Sequence, residues 1–442
     1  MREAGRAPAA IEHFHIAAER ARAIADIPSF VRAAAGYEDA LFNAGVPLDP
    51  SIAILREAES VVAPDDDRLR CLILTRLARA HLLLGETGRS ESFERQAAVL
   101  AQRLDDRESL FTLRVNRFII PRPVGSSQEI QGRLAELDEL IELSKGLKDK
   151  ETHARAYLLN VYISAELGER ARMDQSVAAL VERGDISQRL RLQWIARHGQ
   201  AMLAILDGNF STAETLAQQA LELGHQTRGK QVEGLYGVQM FSIRREQGRL
   251  AEVAQVMKRF IDENQGETTW LPGFALIAAE LGFEEPARRR LRELAETGFE
   301  MPRDAKRSTS LSYVAEVAAL LGDVEAAARL YELMSVYQHM TITAGVVTVC
   351  YGAASRYLGM LAATLGEFDR AEAHFEHALD MNARMGARPW LAHTKAEYAL
   401  LLRRRGGKGV SERAEMLANE AWEIAAELDM ARLKKRLQPK IH

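Results

Sequence analysis

A glycine recurs along this chain at a nearly constant interval. Gly366, Gly322, Gly282, Gly248, Gly208, Gly168, Gly125, Gly85, Gly45 and Gly5 are separated by 44, 40, 34, 40, 40, 43, 40, 40 and 40 residues. A period of this size marks a stacked array of helix pairs, in which each unit packs on its neighbours and chain length no longer counts domains. The best-marked unit reads YLGMLAATLGEFDRAEAHFEHAL from Tyr357. In it Leu358, Gly359, Leu365, Gly366, Phe368, Ala371, Phe375 and Ala378 stand at the positions of the tetratricopeptide pattern. The physical logic is local: small residues where two helices approach, larger ones where the gap must be filled, and a glycine at the turn. Because the usual unit is about 34 residues, most of these repeats need longer helices or wider loops.

The second-helix stripe recurs after other turn glycines, as Ala213, Ala217 and Ala220, as Ala287, Leu291 and Leu294, and as Ala327, Tyr331 and Met334. Each set lies on one helical face. Pro8, Pro272, Pro286 and Pro389 fall at predicted first turns, where a missing N–H costs nothing. The expected fold is therefore all-α, a tetratricopeptide-like α-solenoid running as one array over residues 1–442. It would hold about ten antiparallel helix pairs in a right-handed superhelix. The pair within 389–437 would close it, and the charged tail ARLKKRLQPKIH reads as a polar cap. At the other end only four residues precede Gly5, so the helix from Pro8 to Ala25 reads as a second helix without its partner. Its stripe of Ile11, Phe14 and Ala18 would then stand open, predicting self-association through that end.

Composition narrows the function class. A net charge of -4 supplies no basic field for nucleic acid or for an anionic membrane. The first residues contain no apolar run of signal-peptide length, which predicts a cytoplasmic protein. Cys71 and Cys350 are too few for a disulfide or zinc framework and read as reduced, buried thiols. The uncharged stretch from Leu333 to Ser355 includes a β-branched run between Thr341 and Val349; it is read as a helix end, a turn and a buried helix.

The block GVVTVCYGAASRYLGMLAATLGEFDRAEAHFEHALDMNARMGARPWLAHTKAEYALLL, with GVQMFSIRREQGRL from Gly237, resembles the C-terminal helical-repeat region of large bacterial ATPases. These are the LuxR-type transcriptional regulators and the related proteins that join a nucleotide cyclase or a DNA-binding module to an ATPase and a tetratricopeptide arm. The resemblance implies a sensor or interaction platform. No G-x-x-x-x-G-K-[ST] phosphate loop is present and too few residues follow Leu428 for a helix-turn-helix reader, so the likeness is to the arm alone.

No nucleophile elbow, zinc helix or dinucleotide loop appears in the sequence, and the expectation is a non-enzyme without cofactor or metal. His374 and His377, with Glu372 and Glu376, have poor metal-ligand spacing, and His13 and His15 occupy different faces of one helix. The runs Arg288 to Arg290, Arg403 to Arg405 and Lys434 to Arg436 read as solvated helix surface. More informative are the first helices of the pairs, which line the inner groove of such an array. Counting back from the turn glycines selects Tyr162, His198, Met202, Ser242, Arg245, Glu316 and Arg356 as groove positions, with Arg245 and Arg356 the strongest anchors. The expected role is a protein-protein interaction module of a regulatory system that binds a peptide or helix along that groove. The alternative is a small-molecule inducer held in the same groove, its occupancy transmitted to a separate effector.

Overall fold

The first constraint met in the structure is the left-handed turn. In this computed structural model, which describes residues 7–44, 46–119, 123–147, 150–228, 232–253, 271–301, 306–406 and 410–438, Gly85, Gly168, Gly208, Gly248, Gly282, Gly322 and Gly366 all have φ between +67° and +83°. Each follows the end of one helix and precedes the start of the next. Residues with a Cβ avoid that conformation, so the turn dictates glycine and the periodicity follows. Gly125 departs from the expectation. It lies ahead of the helix Ser127–Lys145, has no positive φ, and its amide donates to Glu129 Oε2 at 2.5 Å, so it serves a helix start. Gly5 and Gly45 lie outside the described residues.

The fold is all-α, built as a helical-repeat solenoid in which consecutive helices pack as pairs. Ala7–Ala23 pairs with Ile27–Ala44, Asp67–Leu83 with Thr87–Arg103, Leu271–Glu280 with Glu284–Glu296, and Arg307–Leu321 with Val324–Ser335. Ala354–Thr364 pairs with Phe368–Arg384, and Arg388–Arg405 with Val410–Glu427. The predicted stripes are the buried ones: Ala213, Ala217 and Ala220, then Ala287, Leu291 and Leu294, Ala327 and Met334, and Ala371, Phe375 and Ala378, with Tyr331 half-buried. At Gly359 a Cβ would lie 2.8 Å from the Phe375 ring, so the two helices of that pair meet only because the side chain is absent.

The chain divides into two compact units: Met1–Ile120 with Ala135–Ala156 and Gly224–Val232, and Pro121–Leu134 with Tyr157–Leu223 and Glu233–His442. In the first, Leu55, Ile73, Leu77 and Ala97 form a fully buried core. Arg79 Nε donates to Glu38 Oε1 at 2.8 Å in the same interior. The expected open N-terminal stripe is covered. Ala18 is buried, and Ile11 and Phe14 pack with Tyr37, Leu41 and Leu48. The Phe14 ring fills the space above Gly36, where a Cβ would lie 2.3 Å away. The helix Ala7–Ala23 takes the helix after it as its partner, and the reason for expecting self-association through this end is removed.

In the second unit the stretch read as a turn and a buried helix is instead an antiparallel hairpin, β1 (Thr341–Ala344) with β2 (Val349–Ala353). Its β-branched residues favour extended backbone, and Gly345 at φ +58° helps close the bend. A lone two-stranded hairpin is marginal in water, but here helices supply its outer hydrogen bonds. Thr309 donates to the Thr343 carbonyl at 2.6 Å, Gln239 Nε2 to the Thr348 carbonyl at 3.1 Å, and the Ala353 amide to Asn382 Oδ1 at 2.9 Å. The charged tail packs on one face only. Ala431–Leu437 is an amphipathic helix, with Leu433 fully buried on one face and Lys435 and Arg436 exposed on the other.

The turn geometry gives a direct test. Gly366→Val should cost about 1–3 kcal/mol because a β-branched residue is forced to positive φ, whereas Glu367→Ala removes only an exposed pair with Arg370. Thermal unfolding should show the valine variant melting several degrees below the alanine variant; equal midpoints would contradict the turn assignment.

Candidate functional site: an ionic interior in the second unit

A carboxylate in the last turn of a helix faces the negative end of the helix dipole. It stays only if a cation or donor compensates it. Three first helices of the second unit carry one there, two residues before the turn glycine: Glu166, Glu246 and Glu280. All three side chains are nearly or fully enclosed, and each has a cationic neighbour: Arg133 lies 3.7 Å from Glu166, Arg432 lies 3.7 Å from Glu246, and Arg245 Nε donates to Glu280 at 2.7 Å.

Arg245 is the centre of the arrangement. Carried by Val232–Glu246, it is 1% exposed and also hydrogen-bonds Glu316 from Arg307–Leu321. Arg356, from Ala354–Thr364, lies 3.6 Å from the same Glu316 and 4.0 Å from Glu397, with its guanidinium 4.8 Å from the Tyr357 ring. Arg432 hydrogen-bonds Glu280, and Arg436 Nη1 donates to Glu397 at 2.9 Å. Glu246 accepts from His393 Nε2 at 2.7 Å, and His393 stacks on Trp390. The Ser242 hydroxyl bonds the Tyr351 hydroxyl at 2.7 Å, which in turn bonds that of Tyr313.

The seven groove positions thus lie on first helices, as expected, but all are enclosed instead of facing an open groove. Ser242, Arg245, Glu316 and Arg356 come together in this network. His198 lies at the hairpin, 3.2 Å from the Thr348 hydroxyl, and Met202 is apolar core. Tyr162 is buried beside Glu166, whose pKa burial raises while Arg133 and Tyr162 oppose the rise. Counting back from the turns missed Glu246, Glu280, Glu397, His393, Arg432 and Arg436. The first two were signalled by the unfavourable acid at a helix C-terminus. Arg432 and Arg436 had no such signal, because a basic run on a short helix reads as surface. That reading holds for Lys435 and Arg436, which are exposed, although Arg436 also pairs with Glu397, a carboxylate only 10% exposed.

Opposite charges set the protonation states. Burial alone would raise the Glu246 carboxyl, but His393, Arg432 and Arg245 outweigh it and hold its pKa at about 2 against an ordinary 4.5. Glu316 is likewise driven well below the usual range, with Arg245 and Arg356 overcoming burial. His393 moves down from 6.5, since burial depresses it more than Glu246 raises it. Near neutral pH it is uncharged and donates its Nε2–H to Glu246. Several polar atoms in this interior have no hydrogen-bond partner among the described residues: Nε and Nη1 of Arg356, Nη1 of Arg432, Trp390 Nε1, Tyr357 OH, His393 Nδ1, and one oxygen each of Glu246, Glu280 and Gln239. Groups this buried normally find a partner.

Elsewhere, His374 Nε2 bonds the Tyr331 hydroxyl at 2.7 Å and His377 Nδ1 the Ser355 hydroxyl at 3.1 Å, each an ordinary packing contact. No group of three or more metal-ligating side chains occurs among the described residues. Nor is any described helix long and apolar enough to cross a membrane.

No family model and no curated protein matches this sequence. Among solved structures the chain is similar to a circular tandem repeat protein with novel repeat topology and enhanced subunit contact surfaces, at 16% identity over 98% of this chain and 95% of that one, with a TM-score of 0.14. So distant a likeness carries no functional inference.

The protonation states make the second unit acid-sensitive. Both depressed groups bind more protons when unfolded, so stability is complete above about pH 6.5 and falls as His393 and then Glu246 are titrated. Glu246 alone should contribute about 3 kcal/mol, lost between about pH 4.5 and 2. Urea unfolding followed by tryptophan fluorescence should show this decline, since Trp194, Trp390 and Trp422 belong to this unit. A midpoint unchanged from pH 7 to pH 3 would contradict it.

Proposed function

We propose that this chain is a non-catalytic, cytoplasmic interaction module of a regulatory system, which recognises a partner segment along the inner faces of its first helices. The observation that carries this reading is internal to the molecule: the inner face of the second unit already holds a short helix by paired charges, Arg432 on Glu280 and Arg436 on Glu397. A face that binds one helical segment this way has the chemistry to bind another. The resemblance to the sensor arms of LuxR-type and cyclase-linked ATPases agrees with a regulatory role exerted on a separate effector. A helical-repeat fold is compatible with such a scaffold.

A second reading has its own support. The unpartnered buried atoms of Arg356, Trp390 and His393 would suit a small polar inducer enclosed in the interior, with no peptide involved. Cross-linking of the full chain in lysate of its source, mapped by mass spectrometry, separates the two. The first reading expects a protein partner whose cross-links fall on Ala431–Leu437 and the flanking ends of Val232–Glu246 and Arg388–Arg405. Cross-links confined to outer, second helices would contradict it. A metabolite that raises the melting temperature, with no protein partner captured, would favour the inducer; saturation at 100 times the dissociation constant stabilises by about 2.7 kcal/mol.

A further inference from the structure

The helix Ala431–Leu437 is seven residues long, too short to persist in water without support. Its sequence, ARLKKRL, sets Arg432 and Arg436 four residues apart on one face, with Leu433 and Leu437 one place after each. Leu433 is fully buried, and Leu437 packs against the apolar cluster that includes Met360, Leu401 and Leu402. At its start, Ala431 closes over the Gly248 turn, where a Cβ would lie 3.3 Å from that of Ala431.

Beneath this helix the charges do not balance without it. The underlying face presents four carboxylates, Glu246, Glu280, Glu316 and Glu397, and two guanidiniums, Arg245 and Arg356, a net charge of -2 with His393 neutral. Arg432 and Arg436 restore neutrality. Yet Arg432 is itself incompletely matched. It shares one oxygen of Glu280 with Arg245, a like charge, and its Nη1 reaches Glu246 only at 3.7 Å without a hydrogen bond. Burial and the neighbouring Arg245 both lower its pKa. Lifting Arg432 out therefore relieves its repulsion with Arg245 as it breaks a pair, and Glu280 keeps Arg245 as its partner.

We propose that Ala431–Leu437 is a displaceable occupant, bound in cis, of an acidic inner face, and that this face accepts in trans a short basic amphipathic helix with the same R-L-x-x-R-L pattern. The inference rests on the interaction-module reading and names both its partner chemistry and its regulation. In the closed state the molecule hides its own binding face; a partner helix of higher effective affinity replaces the cis helix and leaves the ionic interior neutral.

The test uses the full chain and a fluorescein-labelled peptide of residues 429–438, DMARLKKRLQ. By fluorescence anisotropy an Arg432→Ser/Arg436→Ser variant, whose cis helix is loosened, should bind the peptide at least about tenfold more tightly than wild type does. Binding should weaken with salt and vanish for a peptide with both arginines replaced by serine. If the variant keeps the wild-type near-ultraviolet circular dichroism and binds no peptide, the inference is overturned. Equal binding by wild type and variant also overturns it, because the cis helix then guards nothing, but this leaves the interaction-module reading standing. That reading fails separately, if cross-linking finds no partner on the inner face. Should the variant not fold, hydrogen exchange on wild type decides: amides of residues 431–437 should exchange ahead of those in Arg388–Arg405 and Val410–Glu427, and faster still with excess peptide. Exchange of all three segments at one common rate, unmoved by peptide, would rule the displacement out.

Discussion

A guanidinium taken out of water must be neutralised where it lies, and no single helix in this protein can do that for Arg245. Its carboxylate partners come from Leu271–Glu280 and Arg307–Leu321, 35 and 71 residues further along the chain. Removing one partner of such a buried pair commonly costs about 3–5 kcal/mol, more than an exposed pair is worth by severalfold. The ionic interior therefore acts as a registration device for the second unit. Only one alignment of the repeats brings Glu280 and Glu316 to Arg245, Glu316 to Arg356, and Glu246 to His393. Apolar stripes could slide past one another at lower cost.

The parts of the fold that were legible in the sequence are those fixed by neighbours within one helix pair. The turn glycines are dictated by a backbone conformation that other residues avoid, and the alanine-rich stripes follow from close helix approach, so spacing alone locates both. What escaped depends on distant partners. A β-branched run between two helices has no periodicity to separate strand from helix, and the hairpin at Thr341–Ala353 exists because Thr309, Gln239 and Asn382 satisfy its edges. Nothing in the helix that carries Arg432 signals that Glu280, 152 residues earlier, lies beneath it.

The candidate site was legible in the same divided way. Counting from the turns placed Ser242, Arg245, Glu316 and Arg356 on a common inner face, and they do meet there. That the face is closed could not be read from its own helices, because the hairpin and Ala431–Leu437 close it. Closure changes the functional logic. An open groove would bind whatever segment fits, whereas a filled and charge-balanced one binds only what can replace its occupant. Under the proposed interaction role, the basic helix Ala431–Leu437, and not the repeat glycines, would set the threshold for recognition.

The ion pairs of Arg432 and Arg436 join Ala431–Leu437 to the inner face. A double-mutant cycle on Arg432→Met and Glu280→Gln, measured by urea unfolding of the full chain at pH 7, tests that coupling most directly. Residues sharing one buried network should couple by roughly 0.5–3 kcal/mol, with the double variant less destabilised than the sum of the single ones. Additivity within about 0.3 kcal/mol would mean that the helix merely rests against the face, and the account of an occupied ionic groove would be wrong.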